Sequence, residues 1–185
     1  MRARDINNEL NVETLGQVFT QESTVQTMLS MMKNTGAILE PSSGDGAFAH
    51  QLPLERLTAI EFDVRFAEKY QFLQMDFFAL PLNKKFSTII GNPPYVRYQD
   101  IHTDTKQKLE DYAELFDRRS NLYLFFIYKC ILHLEEGGEL IFITPRDFIK
   151  ATSARKLNEY IYQHGTITEY IEMGDQRIFK EAVPN

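Results

Sequence analysis

Short apolar runs alternate with longer helical patterns along most of this chain. Ala37-Ile38-Leu39 reads as a buried strand, followed by glycines and a short helix from about Ala47. Leu57-Thr58-Ala59-Ile60 reads as a second strand and precedes a helix over 64–69. Phe72-Leu73 makes a weak third strand, and residues 86–90, 139–143 and 167–171 make a fourth, fifth and sixth. Helical patterns at 122–134 and 153–162 lie between these later strands. Ahead of the first strand, residues 22–32 carry apolar side chains at helical spacing, with Thr20 as the expected N-cap. The alternation predicts a βαβ series with a parallel sheet.

In an open α/β sheet, ligands bind beyond the carboxyl ends of the strands, so the residues after each strand carry the chemistry. These are Glu40-Pro41-Ser42-Ser43-Gly44-Asp45-Gly46, Glu61-Phe62-Asp63, Asp76-Phe77-Phe78, Asn92-Pro93-Pro94-Tyr95 and Thr144-Pro145-Arg146. Gly44-Asp45-Gly46-Ala47-Phe48-Ala49 fits a dinucleotide-binding pattern, and Glu61 lies about 20 residues beyond the first strand. Charge argues against a dinucleotide. Asp45 sits inside the turn, Glu40 just before it and Asp76 nearby, a rim that repels pyrophosphate. S-adenosylmethionine carries an ammonium, a sulfonium, ribose hydroxyls and an adenine amine, and an acidic rim suits all of them. Its carboxylate can be met by backbone N–H groups or Thr20. Glu61, closing the second strand, is the expected acceptor for the ribose hydroxyls, while Asp63 reads as a helix N-cap. Phe62 can cover one adenine face and Phe77 or Phe78 the other; the alternative reading is that one of these phenylalanines is simply core.

Two prolines in Asn92-Pro93-Pro94-Tyr95 fix the backbone and remove two N–H donors. The Asn92 side-chain oxygen and the Pro93 carbonyl remain as acceptors. Together they can bind both protons of an exocyclic nucleobase amine and draw its lone pair out of conjugation. Placement and electrostatics then supply most of the catalysis. Tyr95 can stack on the base, which must leave a duplex to reach the pocket.

Composition narrows the setting. The chain has 185 residues, which suits one domain. No apolar run approaches the roughly 20 residues of a membrane span, and no signal sequence is visible at the amino terminus. The single Cys130 falls in an apolar run and reads as a buried thiol, consistent with a cytoplasmic location. A net charge of −6 argues against a stand-alone nucleic-acid binder. His50, His102, His133 and His164 lack partners at metal-ligand spacing, so no metal is expected. Arg146, Lys150, Arg155 and Lys156 form a basic stretch that reads equally as a solvated helix face or as part of the pocket edge.

The whole set resembles the gamma-class N6-adenine DNA methyltransferases of restriction-modification systems. Gly16-Gln17-Val18-Phe19-Thr20 is similar to their amino-terminal cofactor motif, residues 40–48 to the glycine motif, Glu61 to the ribose-binding acid and Asp76-Phe77 to the adenine-binding pair. Asn92-Pro93-Pro94-Tyr95 is similar to the catalytic motif, and Gly137-Gly138-Glu139-Leu140 to a later structural motif. The resemblance implies a Rossmann-like class I methyltransferase fold with a doubly wound, mostly parallel sheet and S-adenosylmethionine as cofactor. It makes Asn92, Pro93 and Tyr95 catalytic. Thr20, Glu40, Ser42, Gly44, Glu61, Phe62, Asp76 and Phe77 become the cofactor set.

Family members continue past residue 185 into a strand hairpin and a target-recognition domain. The chain is therefore expected to be an amino-terminal catalytic-domain fragment, inactive alone, whose double-stranded DNA partner is held elsewhere. Unpaired edges on the fifth and sixth strands predict self-association or poor order over 166–185. A methyltransferase acting on protein glutamine or an RNA base is the nearer rival reading. A non-catalytic cofactor-binding subunit is the other.

Overall fold

The computed structural model describes residues 18–116, 120–146 and 148–173. Five strands, β1 (Ile38–Glu40), β2 (Leu57–Glu61), β3 (Leu73–Gln74), β4 (Phe86–Gly91) and β5 (Leu134–Phe142), form one sheet in the order β3-β2-β1-β4-β5. Every pairing is parallel. The chain thus winds outward from β1 in one direction and then, after β3, in the other, which makes β1 and β4 flank the point where the order reverses.

The central strands are apolar because both of their faces are covered. Every residue of β1 and β4 is buried. Alternation along each strand divides them between two cores. Ile38 and Ile90 join Val25 and Met28 of α1 (Glu22–Ser30) on one face. Leu39 and Ile89 join Phe125, Phe126 and Cys130 of α4 (Leu122–His133) on the other. The buried thiol read from the sequence is therefore a core contact. Three further α-helices are described: α2 (Val64–Tyr70), α3 (Thr103–Leu109) and α5 (Arg155–His164).

Opposite the ligand edge, Glu139 ties the layers together. Its carboxylate accepts from the Lys33 and Asn34 backbone N–H groups and from Thr88 Oγ1, at 2.8–3.1 Å. A carboxylate with three donors is a strong local anchor, and it docks the segment after α1 against β4 and β5.

Three expectations change. Residues 167–171 form no strand: they run without regular structure, with Ile167, Tyr170 and Ile171 exposed. A strand is defined by its ladder, and among the described residues none pairs with this segment despite its β-branched composition. Thr20 does not cap α1; Gln21 holds the N-cap position, its side chain making no capping bond to the helix, and Thr20 is drawn into the interior instead. The helix expected from Ala47 is a single 3₁₀ turn, Ala49–Gln51.

Candidate cofactor and acceptor site

Because all five strands are parallel, their carboxyl ends share one edge, and the turns after β1, β2, β3 and β4 converge there. Between them lies a cleft with about 820 Å³ of empty space, open solvent at its mouth included. Ser42, Gly44, Glu61, Phe62, Asp76, Phe77 and Asn92 line it, as the sequence pattern anticipates.

The glycine turn and the acid after β2 are joined directly. Gly44 has φ 52° and Gly46 φ 77°, left-handed values that a glycine adopts without strain. A Cβ on Gly46 would also come within 2.5 Å of the His50 ring. This path aims the Gly44 N–H at Glu61 Oε2, 2.7 Å away, while the Asp63 N–H donates to Oε1 at 2.7 Å. Glu61 is buried, and burial raises its carboxyl above the ordinary range against the opposing effect of those two N–H groups. Each oxygen keeps lone-pair capacity toward the cleft. Asp63 caps α2 by accepting from the Arg65 N–H, as read from the sequence.

Asp76 is more heavily engaged. Oδ1 accepts from the Phe78 N–H at 2.9 Å; Oδ2 accepts from Thr105 Oγ1 at 2.9 Å and pairs with Lys108 Nζ at 3.1 Å. Thr105 and Lys108 belong to α3, whose Thr105, with the preceding Ile101 and His102, forms one wall of the cleft. Lys108 offsets part of the acidic rim that the sequence suggests. No local signal marks Thr105, which stands 29 residues from its partner.

Burial separates Phe62 from the two phenylalanines after β3. Phe62 is 40% exposed at the cleft mouth, whereas Phe77 and Phe78 are both buried against Phe126 of α4 while contributing edges to the cleft. Both phenylalanines after β3 are core.

Asn92 follows β4 and is the most informative side chain in the cleft. Its Nδ2 donates to the Val18 carbonyl at 3.2 Å and to Thr20 Oγ1 at 3.4 Å. A carbonyl can only accept, so Val18 fixes which end of the amide is the NH₂. Oδ1 is buried and has no hydrogen-bond partner among the described residues. Ser42 Oγ also donates to the Asn92 backbone carbonyl, at 3.2 Å, linking this loop to the glycine turn.

Four candidate residues do not line the cleft: Thr20, Glu40, Pro93 and Tyr95. Thr20 is buried behind Asn92 as its hydrogen-bond acceptor. Glu40 is 1% exposed; burial pushes its carboxyl well above the ordinary range, nearby Glu61 and Asp45 push it further, and its Oε2 is unpartnered. Pro93 is buried, and its neighbour Pro94 faces the cleft. Tyr95 donates its hydroxyl to the Ile143 carbonyl at 2.8 Å and packs near Tyr123. The basic stretch also stands away from the cleft. Arg146 pairs with Glu172, Arg155 with Glu159, and Lys156 donates to the Glu114 carbonyl. Gly16 and Gln17 lie outside the described residues.

Comparison with known proteins bears on this arrangement. The chain is 34% identical over 174 residues to the type II methyltransferase M.HincII of Haemophilus influenzae, a match covering 90% of this chain and 35% of that protein. The chain therefore spans about a third of that relative. Among solved structures, a Listeria monocytogenes protein assigned to the class I S-adenosylmethionine-dependent methyltransferases superposes with a TM-score of 0.61 at 17% identity, covering 85% of this chain and 55% of that one. The DrdV–DNA complex superposes with the same score and identity, over 85% of this chain and 23% of DrdV. At that identity the likeness is one of fold, and it agrees with the Rossmann-like class I architecture. A model of the Eco57I restriction-modification methylases matches residues 18–179, so that cleft, sheet and sequence together make this chain a member of the Eco57I restriction-modification methylase family.

Proposed function

We propose that this chain forms the cofactor and acceptor site of an S-adenosylmethionine-dependent DNA methyltransferase acting on the exocyclic N6 amine of adenine. The observation that carries the proposal is the Asn92 amide, whose NH₂ is anchored while its buried Oδ1 has no partner. An unpaired buried acceptor is costly to maintain, and an amine proton delivered to the cleft would satisfy it. A cytosine amine or a protein amide would satisfy it as well, so the choice of adenine rests on the resemblance of the surrounding motifs.

The residues fit the cofactor. Glu61 keeps lone pairs for two ribose hydroxyls, Asp76 offers Oδ1 beyond its bond to Phe78, and Phe62 is a half-exposed ring at the mouth. When bound, S-adenosylmethionine supplies a methyl group made electrophilic by the sulfonium. The chain's own part is to bind and orient. Asn92 Oδ1 accepts a proton of the target amine, localises its lone pair and holds it in one direction. Pro93 and Pro94 present no N–H that could compete for that amine. The proton released as the new bond forms passes to solvent, since Asn92 cannot retain it.

In this reading Thr20 and Glu40 support the site from behind, and Tyr95 comes to the flipped base only after its bond to the Ile143 carbonyl is exchanged. Residues 1–185 act as the amino-terminal part of the catalytic domain, DNA recognition belongs to sequence outside it, and the outer edge of β5, which pairs with no strand among the described residues, is the surface for self-association. The test is transfer of labelled methyl groups to duplex DNA, RNA and protein by this chain and by a longer polypeptide containing it. Label recovered as N6-methyladenine is the expected result. Label confined to cytosine, RNA or protein would refute the adenine assignment.

A further inference from the structure

Lys129 is out of place by composition. It lies in the strongly apolar helix α4, is 2% exposed, and among the described residues has no carboxylate within ion-pair distance. Its Nζ donates to the Phe78 carbonyl at 2.8 Å and to the Leu80 carbonyl at 2.9 Å. The ammonium also stands 5.4 Å and 5.8 Å from the ring centroids of Phe77 and Phe78, a cation–π arrangement. These groups all belong to the turn that carries Asp76 and Phe77 into the cleft. Thr105 and Lys108 grip the Asp76 carboxylate at the start of that turn. Lys129 grips its backbone from within. A methionine or leucine would fill the same core volume without the cost of burying a charge.

We propose that Lys129 is a positioning residue for the nucleoside subsite of the cleft, fixing the turn 76–80 and hence the direction in which Asp76 and Phe77 meet the base of a bound nucleoside. The inference rests on the cofactor reading given above. It has a distinctive pH signature. Burial lowers the Lys129 ammonium to about 8, against a counteracting contribution from Asp76. The groups that face it are Asp76 from the turn after β3, Asp111 from the 3₁₀ turn beyond α3, and Cys130 and His133 from its own helix. Burial lifts the Cys130 thiol well above its ordinary range and lowers the His133 imidazole, so neither mimics a transition near 8. Above that pH the turn loses its charge-assisted bonds.

The experiment measures the affinity of the whole chain for 5′-deoxy-5′-methylthioadenosine from pH 7 to 10. This probe fills the base and ribose subsites and has no amino-acid ammonium to titrate. Wild-type affinity should fall by about tenfold across that range, the scale of one charge-assisted hydrogen bond. Lys129→Arg, which stays charged, should retain neutral-pH affinity and show a flat profile. A flat wild-type profile overturns the inference even if the variant fails to fold. Identical falls in wild type and Lys129→Arg overturn it too, by assigning the transition to another group. Failure of wild type to bind either methylthioadenosine or S-adenosylhomocysteine at pH 7 would instead overturn the cofactor reading, and this inference with it.

Discussion

In the turns after β2 and β3, the two cleft acids arrive with their oxygens already engaged, whereas after β4 the Asn92 amide arrives with its carbonyl oxygen bare. Glu61 accepts two backbone N–H groups and Asp76 three donors. Their geometry is set before any ligand enters, and a ligand adds bonds to a structure that is already held. Asn92 is held from its nitrogen end alone, by longer bonds of 3.2 and 3.4 Å. The first region is organised for binding with little rearrangement. The second leaves an unmet hydrogen-bonding demand at the point where a reacting amine would come.

The sharpest way to break this contrast is Asn92→Ala. In a methylation-competent polypeptide it should lower transfer by about a hundredfold or more, the scale of a lost preorganised electrostatic contact. Affinity for S-adenosylhomocysteine should stay within about twofold, because removing Asn92 leaves the bonds of Glu61 and Asp76 intact. A parallel loss of affinity in calorimetry would mean that the two regions are not separate. Glu61→Ala should do the converse, weakening cofactor affinity by about 1–3 kcal/mol through lost hydrogen bonds to a carboxylate. Unchanged affinity would remove Glu61 from the site.

The smallest effect concerns Glu40, behind the cleft. Its folded-state carboxyl is raised above the ordinary 4.5, so the native state holds a proton that the unfolded state has released. Stability from this position is therefore full below about pH 4.5 and declines as pH rises toward the folded value. Glu40→Gln should raise the urea midpoint at pH 7–8 by an amount corresponding to about 1 kcal/mol. The gain should shrink toward zero by pH 4. A stabilisation independent of pH would show that the burial of Glu40 is not felt as a charge.

Most of the fold is legible in the sequence because its signals are local. The first buried strand is read from a short apolar run, Ala37-Ile38-Leu39, and the residues after it are polar where a parallel sheet needs a ligand edge. The misreadings share one physical cause. Ile167 to Ile171 has strand composition, but a strand also requires a neighbour, which composition does not reveal. Thr20 has the right chemistry for an N-cap, yet a bond to Asn92, 72 residues away, claims its hydroxyl. Phe77 and Phe78 look alike in sequence, and their common burial depends on Phe126 in a distant helix. For the same reason, Thr105, Lys108 and Lys129 carry no local mark of their shared role around the turn after β3.

The anchor between Val18 and Asn92 has a further consequence, concerning the sign of a contact. An amide is nearly symmetric in shape, and a half-turn about its last bond exchanges an oxygen that accepts for a nitrogen that donates. Flipped, the same asparagine would repel the protons of an amine and favour a ring nitrogen or a carbonyl. The group that forbids this is the backbone oxygen of Val18, which every amino acid would supply at that position. Discrimination between opposite chemical partners is thus encoded by the course of the chain ahead of α1. A change that moves this segment by little more than one hydrogen-bond length could reverse the preference of the site without altering any residue that lines it.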